Sequence, residues 1–154
     1  MEPASGIAAV ILAAGRSSRM GTSKPLLPVS PSSVIERLVN TFFRAAIGDI
    51  IVVTGHDPDA IARVLAGRPV RLVRNEDYDR GMFSSVRTGA AALAEDGEAF
   101  FILPADCFLM RTEVLERLIA EFHYGSRGVL NPCCCGVRGH PPLLSGRYRP
   151  ELLQ

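Results

Sequence analysis

A three-layer α/β/α fold around a mostly parallel sheet is predicted by three features of the chain. Apolar runs of strand length alternate with segments of helical period. The connections between them are short, and no repeat, low-complexity stretch or linker interrupts the alternation. The first strand is a continuous aliphatic run, as expected of a strand buried on both faces of a parallel sheet.

That run is Ile7 to Leu12. Val34, Ile35, Leu38, Val39, Phe42, Phe43 and Ala46 then recur at the helical period, with Glu36, Arg37, Asn40 and Arg44 on the polar side. Asp49 to Thr54 is the second strand, ended by Gly55, and Asp57-Pro58 reads as an N-cap with proline in the first turn of a helix through Leu65. Val70 to Val73 is a short third strand. Ser84 or Ser85 caps a helix running to about Ala94, and Phe100 to Leu103 is the fourth strand. Thr112 caps a helix through Phe122 with Val114, Leu115, Leu118, Ile119 and Phe122 on its buried face. Gly128 to Cys135 reads as a fifth strand and Pro142 to Leu144 as a sixth.

With 154 residues, 47% of them hydrophobic, the chain reads as one domain, 1–154, able to bury a core without disulfides or metal staples. A formal charge of +1 with no basic run argues against a nucleic-acid or anionic-membrane surface. The apolar stretch near the N-terminus is too short for a signal-peptide core with a cleavage site, and far too short to span a bilayer, so a cytoplasmic location is expected.

Cysteine spacing agrees with that compartment. Cys107 stands alone and Cys133, Cys134 and Cys135 are consecutive, which is not a disulfide framework. A zinc site from Cys133, Cys135 and His140 can be drawn, but it lacks paired Cys-x-x-Cys spacing. A role as small hydrophobes, without zinc, is the expectation.

The chemistry concentrates after the first strand. The loop there holds Gly15 and Gly21, hydroxyl side chains and the cations Arg16, Arg19 and Lys24. Glycines permit backbone conformations in which N–H groups converge on an anion while cations neutralise it, which is a phosphate cradle. Lys24 lies three residues after Gly21 and precedes Pro25, so this is not a P-loop, and there is no Gly-x-Gly-x-x-Gly fingerprint. Asp106, just past the fourth strand, can face the same crevice outside the strands' carboxyl ends. As one carboxylate it suits magnesium, which takes few protein ligands and keeps water; the plain alternative is a carboxylate capping a turn.

The motif Leu12-Ala13-Ala14-Gly15-x-Ser17-x-Arg19-Met20-Gly21-x-x-Lys24-x-Leu26-Leu27-Pro28 resembles the signature loop of the molybdenum cofactor nucleotidyltransferases. Asn75-x-x-Tyr78-x-x-Gly81-Met82-x-Ser84-Ser85-Val86-Arg87-x-Gly89 and Arg138-Gly139-His140-Pro141 resemble later segments of that family, in the family's order. Two alanines before Gly15 resemble the cytidylyl branch; the guanylyl branch usually has glycine in place of the second.

The resemblance implies a Rossmann-like nucleotidyltransferase fold and transfer of CMP from CTP to the phosphate of molybdopterin cofactor, with release of pyrophosphate. It implies Arg19, Lys24 and Asp106 as the catalytic set, with Asp106 holding Mg2+. The nucleotide falls to Leu12, Ala13, Ala14, Gly15, Arg19, Gly21 and Lys24, with Gly81, Ser84 and Ser85 at the base and Asn75 as a polar partner. The acceptor falls to Arg138, Gly139, His140 and Pro141. A further nucleotidyltransferase reading uses GTP, or a sugar or polyol phosphate, and a different class is a nucleotide-binding module without turnover. Two departures stand out: the family commonly has proline two residues after the aspartate, where Phe108 stands here, and similar enzymes continue beyond the helix near Tyr148 into a segment bearing a second acid. Without that segment the sheet has an open edge, which invites a homodimer; a molybdoenzyme is the other partner considered.

Overall fold

The computed structural model describes residues 6–15 and 23–154. Strand β1 (Ile7–Leu12) is buried along almost its whole length, as its aliphatic run requires. A small hairpin, β2 (Pro28–Val29) and β3 (Ser32–Ser33), then delivers helix α1 (Val34–Arg44). Ser33 and Glu36 form a reciprocal capping box: the Glu36 N–H donates to Ser33 Oγ, and the Ser33 N–H donates to Glu36 Oε2 at 2.9 Å. The helix ends two residues earlier than its periodicity suggests, because Ala46 turns the chain with φ of 60°.

Strand β4 (Asp49–Thr54) leads to α2 (Pro58–Val64), where Asp57 occupies the N-cap position without a side-chain hydrogen bond. Strand β5 (Arg71–Arg74) forms a charged edge, and Arg71 grips Asp49 with two bonds of 2.9 and 2.8 Å. Helix α3 (Met82–Ala92), β6 (Ala99–Pro104) and α4 (Thr112–Tyr124) follow.

Two cap assignments are corrected here. The residue capping α3 is Gly81, and both serines lie inside the helix, with hydroxyls bonded to Asn75. Thr112 is the first residue of α4, after Arg111, and makes no cap bond.

The expected fifth strand is also split. Strand β7 (Val129–Leu130) joins the sheet, whereas β8 (Cys133–Cys134) pairs with β9 (Val137–Arg138) in a hairpin of its own. Pro132 lies between them and has no N–H to give a ladder. All three consecutive cysteines are exposed, which overturns their expected role as small packed hydrophobes. Strand β10 (Leu143–Ser145) and the short α5 (Arg149–Leu152) complete the chain's elements.

The main sheet runs β5-β4-β1-β6-β10-β7, parallel from β5 to β6, with β10 antiparallel to both neighbours. Ala9 and Ile11 of β1 join a core with Ile35, Leu38 and Phe42 of α1, Ile61 of α2 and Leu115 of α4. Ala8 and Val10 point the other way, toward Leu93, Phe100 and Leu152. Helix α3 lies on this second face so closely that a Cβ on Gly89 would collide with Val10 Cγ1. Helices therefore cover both faces of a mostly parallel sheet, the three-layer fold that the sequence predicts. Among the described residues no helix is long and apolar enough to cross a membrane.

Candidate functional site

Register brings the functional segments to one end of the sheet. Leu12 sits opposite Val53 of β4 on one side and Pro104 of β6 on the other, so the three strands finish level. The chain leaving β1 is then held from both sides: the Ala13 N–H donates to the Val53 carbonyl at 2.8 Å, and the Ala105 N–H donates to the Leu12 carbonyl at 3.0 Å. Gly55 belongs to the same junction. A Cβ there would lie 2.7 Å from the Ala14 carbonyl oxygen and 2.7 Å from Tyr78 Cβ, distances that real side chains do not adopt.

At this end lies a cavity of about 340 Å³. Leu12, Ala13, Ala14 and Gly15 line it together with Lys24 and Pro25 and with Pro104, Ala105 and Asp106. Gly81, Met82 and Ser85, from the start of α3, close it together with Tyr78. Crevices outside the carboxyl ends of parallel strands are the usual ligand sites of such sheets.

Gly15 differs from its expected role. It does not have a positive φ, and among the described residues a Cβ on it would meet nothing within 4 Å. A left-handed backbone conformation is therefore not what it provides. Gly81 does take φ of 99°, at the point where the chain enters α3.

Lys24 is exposed and starts a 3-10 turn, Lys24–Leu26, fixed by buried Pro25 and by Leu26 packing on the core. Asp106 is exposed too, one residue past the Ala105 anchor. Its neighbour Cys107 is half-buried, and its Sγ lies 3.9 Å from Asp106 Oδ1. Burial pushes the Cys107 thiol up, and the adjacent Asp106 carboxylate pushes it further, so it stays protonated and donates to Asp106. Among the described residues no three His, Cys, Asp or Glu side chains converge on a metal position. A lone carboxylate facing an open cavity fits a hard divalent cation that completes its shell with water and phosphate oxygens.

Asn75 stands behind the cavity wall. It is 3% exposed; its Nδ2 donates to Ser84 Oγ at 2.8 Å and Ser85 Oγ at 3.0 Å, and its Oδ1 accepts from the Asp77 N–H at 3.0 Å. Asn75 thus orients the start of α3, and Ser85 is the one of its two serine partners that lines the cavity. Arg138, Gly139 and His140 are exposed around the end of β9, Pro141 is buried, and none of the four lines the cavity. The Gly139 N–H instead ties back to the Pro132 carbonyl at 2.8 Å. Arg16, Arg19 and Gly21 lie outside the described residues. Sequence reasoning gave no separate role to Tyr78, Met82, Pro25, Pro104 and Ala105, which complete the walls. Tyr78 and Met82 stood inside a recognised motif; the prolines carried no signal.

Comparison with known proteins agrees with this geometry. A family described as the MobA-like NTP transferase domain matches residues 9–154. The bifunctional protein GlmU of Francisella tularensis subsp. holarctica (strain OSU18) is 35% identical over 127 residues, covering 81% of this chain and 27% of that protein. The chain therefore spans only about a quarter of the length of such curated relatives. Among solved structures, Rv0371c from Mycobacterium tuberculosis H37Rv superposes with a TM-score of 0.84 at 24% identity, covering 96% of this chain and 75% of that one. That mycobacterial protein has also been crystallised in complex with manganese. A nucleotidyl transferase from Methanothermobacter gives a TM-score of 0.81 at 27% identity, covering 96% of this chain and 74% of that one. The fold, the cavity at its strand ends and the match across residues 9–154 agree: this chain belongs to the family of MobA-like NTP transferase domains.

Proposed function

We propose that the chain is a magnesium-dependent cytidylyltransferase that joins CMP from CTP to the phosphate of molybdopterin cofactor. The observation that carries the reading is the meeting, around one cavity, of the Ala13 to Gly15 turn, Lys24, Asp106 and the start of α3. The choice of CTP rests on the two alanines at Ala13 and Ala14 and their resemblance to the cytidylyl branch.

In the reaction an oxygen of the acceptor phosphate attacks the α-phosphorus of the triphosphate. The bond from that phosphorus to the oxygen bridging to the β-phosphorus breaks, and pyrophosphate leaves. Such transfer relies on charge neutralisation and in-line alignment more than on covalent help from the protein. Lys24 and Arg19 neutralise the β- and γ-phosphates and the departing pyrophosphate. Backbone groups of Leu12 to Gly15, with Gly21, Gly81 and Ser85, hold the nucleotide, while Asn75 and Ser84 position Ser85. Asp106 would hold magnesium, which when bound would supply positive charge at the phosphate oxygens. Arg138, Gly139, His140 and Pro141 receive the acceptor.

A second reading keeps the transfer and replaces the acceptor with a sugar or polyol phosphate. It is favoured by the position of the Arg138 to Pro141 segment, which lines no part of the cavity. Pyrophosphate release separates the two: the first reading expects it only with CTP, magnesium and molybdopterin together, and the second with a sugar or polyol phosphate instead. No release with any of these acceptors would leave a binding module and contradict both.

A further inference from the structure

The β8–β9 hairpin carries thiols that the proposed transfer does not use. Cys133 and Cys134 pair with Arg138 and Val137, so Cys135 and Gly136 make a two-residue loop. Both loop residues are left-handed, with φ of 51° and 80°. Such loops are normally Asn-Gly or Asp-Gly, and cysteine is an unusual occupant of the first position. Strand alternation sends Cys133 to the face opposite Cys134, where it borders a groove beside Arg117 of α4. The left-handed turn takes Cys135 out of that alternation, and its Sγ comes to lie 3.9 Å from the Sγ of Cys134. Both thiols are exposed.

Two chemistries are open to neighbouring thiols, and geometry separates them. Consecutive Cα atoms across a trans peptide are about 3.8 Å apart, short of the roughly 4.4 Å at which ordinary disulfides begin. A direct S–S bond here is therefore disfavoured. Bridging through a single soft atom is not: two-coordinate copper(I) favours a near-linear S–Cu–S unit, and the two exposed side chains, whose Sγ atoms lie 3.9 Å apart, reach that span by parting a few tenths of an ångström. Zinc fits poorly, since it requires four ligands and no three candidate side chains converge among the described residues. Soft monovalent copper is selected by thiolates.

We infer that Cys134 and Cys135 form a two-thiolate site for copper(I). Binding exchanges two S–H bonds for two Cu–S bonds and releases two protons, with no change in oxidation state. The site is independent of the proposed transferase reaction.

Two probes test it on the full chain. Phenylarsine oxide condenses with paired thiols, forming two As–S bonds and releasing one water, and the adduct is read by intact-protein mass spectrometry. One adduct per chain is expected, stable to excess glutathione and reversed by 2,3-dimercaptopropanol. It is lost in Cys134→Ser and in Cys135→Ser, and kept in Cys133→Ser and Cys107→Ser. In the second arm the protein withdraws one equivalent of copper(I) from a coloured copper(I) chelator, and the Cys134→Ser and Cys135→Ser variants withdraw none; circular dichroism establishes that both fold. An absent adduct, an adduct that survives loss of Cys134 or Cys135, or no uptake of copper(I) overturns the proposal.

Discussion

The backbone N–H of Ala105 donates to the carbonyl oxygen of Leu12 at 3.0 Å, one residue beyond the last pairing of β1 with β6. This bond sets the start of the glycine loop beside Asp106. Gly15 and Asp106, 91 residues apart in sequence, thereby share one cavity, and the contact depends on backbone alone.

Gly55 is the least replaceable residue of this junction. In Gly55→Ala the new methyl would lie 2.8 Å from Ala14 Cβ and 2.7 Å from the Ala14 carbonyl oxygen, neither of which can swing away as a flexible side chain would. Overpacking of this kind costs about 1–3 kcal/mol. Urea denaturation should show a loss in that range, and nucleotide affinity should fall with it, because Ala14 and Tyr78 both line the cavity.

Glu36 makes stability depend on pH. Hydrogen bonds from the Ser33 N–H and hydroxyl hold its carboxyl below the usual value of 4.5, with Arg68 at 3.0 Å adding to the effect. A carboxylate with a lowered folded-state pKa stabilises the fold above its unfolded pKa, and the contribution disappears as pH falls through the folded value. Glu36→Gln keeps the box geometry and removes the charge. It should cost about 0.5–1 kcal/mol at pH 7, and its urea midpoint should converge with that of the parent as pH drops below 4.5.

Lys24 is exposed on a turn held by its neighbours, so Lys24→Ala should leave thermal stability within about 0.5 kcal/mol of the parent. Loss of a charged hydrogen bond to phosphate should weaken triphosphate binding about tenfold or more. Unchanged CTP affinity by calorimetry would remove Lys24 from the cradle.

Nucleotide choice is tested by thermal shift with CTP, GTP, ATP and UTP in magnesium. A ligand at 100 times its dissociation constant adds about 2.7 kcal/mol of stability. CTP should give the largest shift; an equal or larger one with GTP would contradict the cytidylyl reading.

The parts of the fold legible in sequence are those fixed by local pattern. The aliphatic runs of β1 and β4 could only be doubly buried strands, and the apolar stripe from Val34 to Phe42 could only be a helix on that sheet. Asp106 stands two residues past the end of β6 and Lys24 is a cation of the loop that follows β1, and both line the cavity. The capping box at Ser33 and Glu36 was equally local, and its spacing could have been read directly. What escaped was set by distant contacts. Ser84 and Ser85 have the composition of caps, yet buried Asn75 claims their hydroxyls. The stretch from Gly128 to Cys135 has strand-like composition on both sides of Pro132, and only pairing partners reveal two separate strands. Tyr78 reaches the cavity wall by packing at Gly55, a contact with no periodic signature.

The central claim is that Asp106 holds a divalent cation together with the triphosphate. It is tested most directly by calorimetric titration of CTP into the protein with and without magnesium, comparing the parent with Asp106→Asn. One carboxylate among water and phosphate oxygens binds magnesium weakly by itself, so metal and nucleotide should depend on each other. Magnesium should raise CTP affinity in the parent by about tenfold or more, equivalent to about 1.4 kcal/mol, and most of that gain should vanish in Asp106→Asn. A variant that keeps the full magnesium-dependent gain would contradict the account.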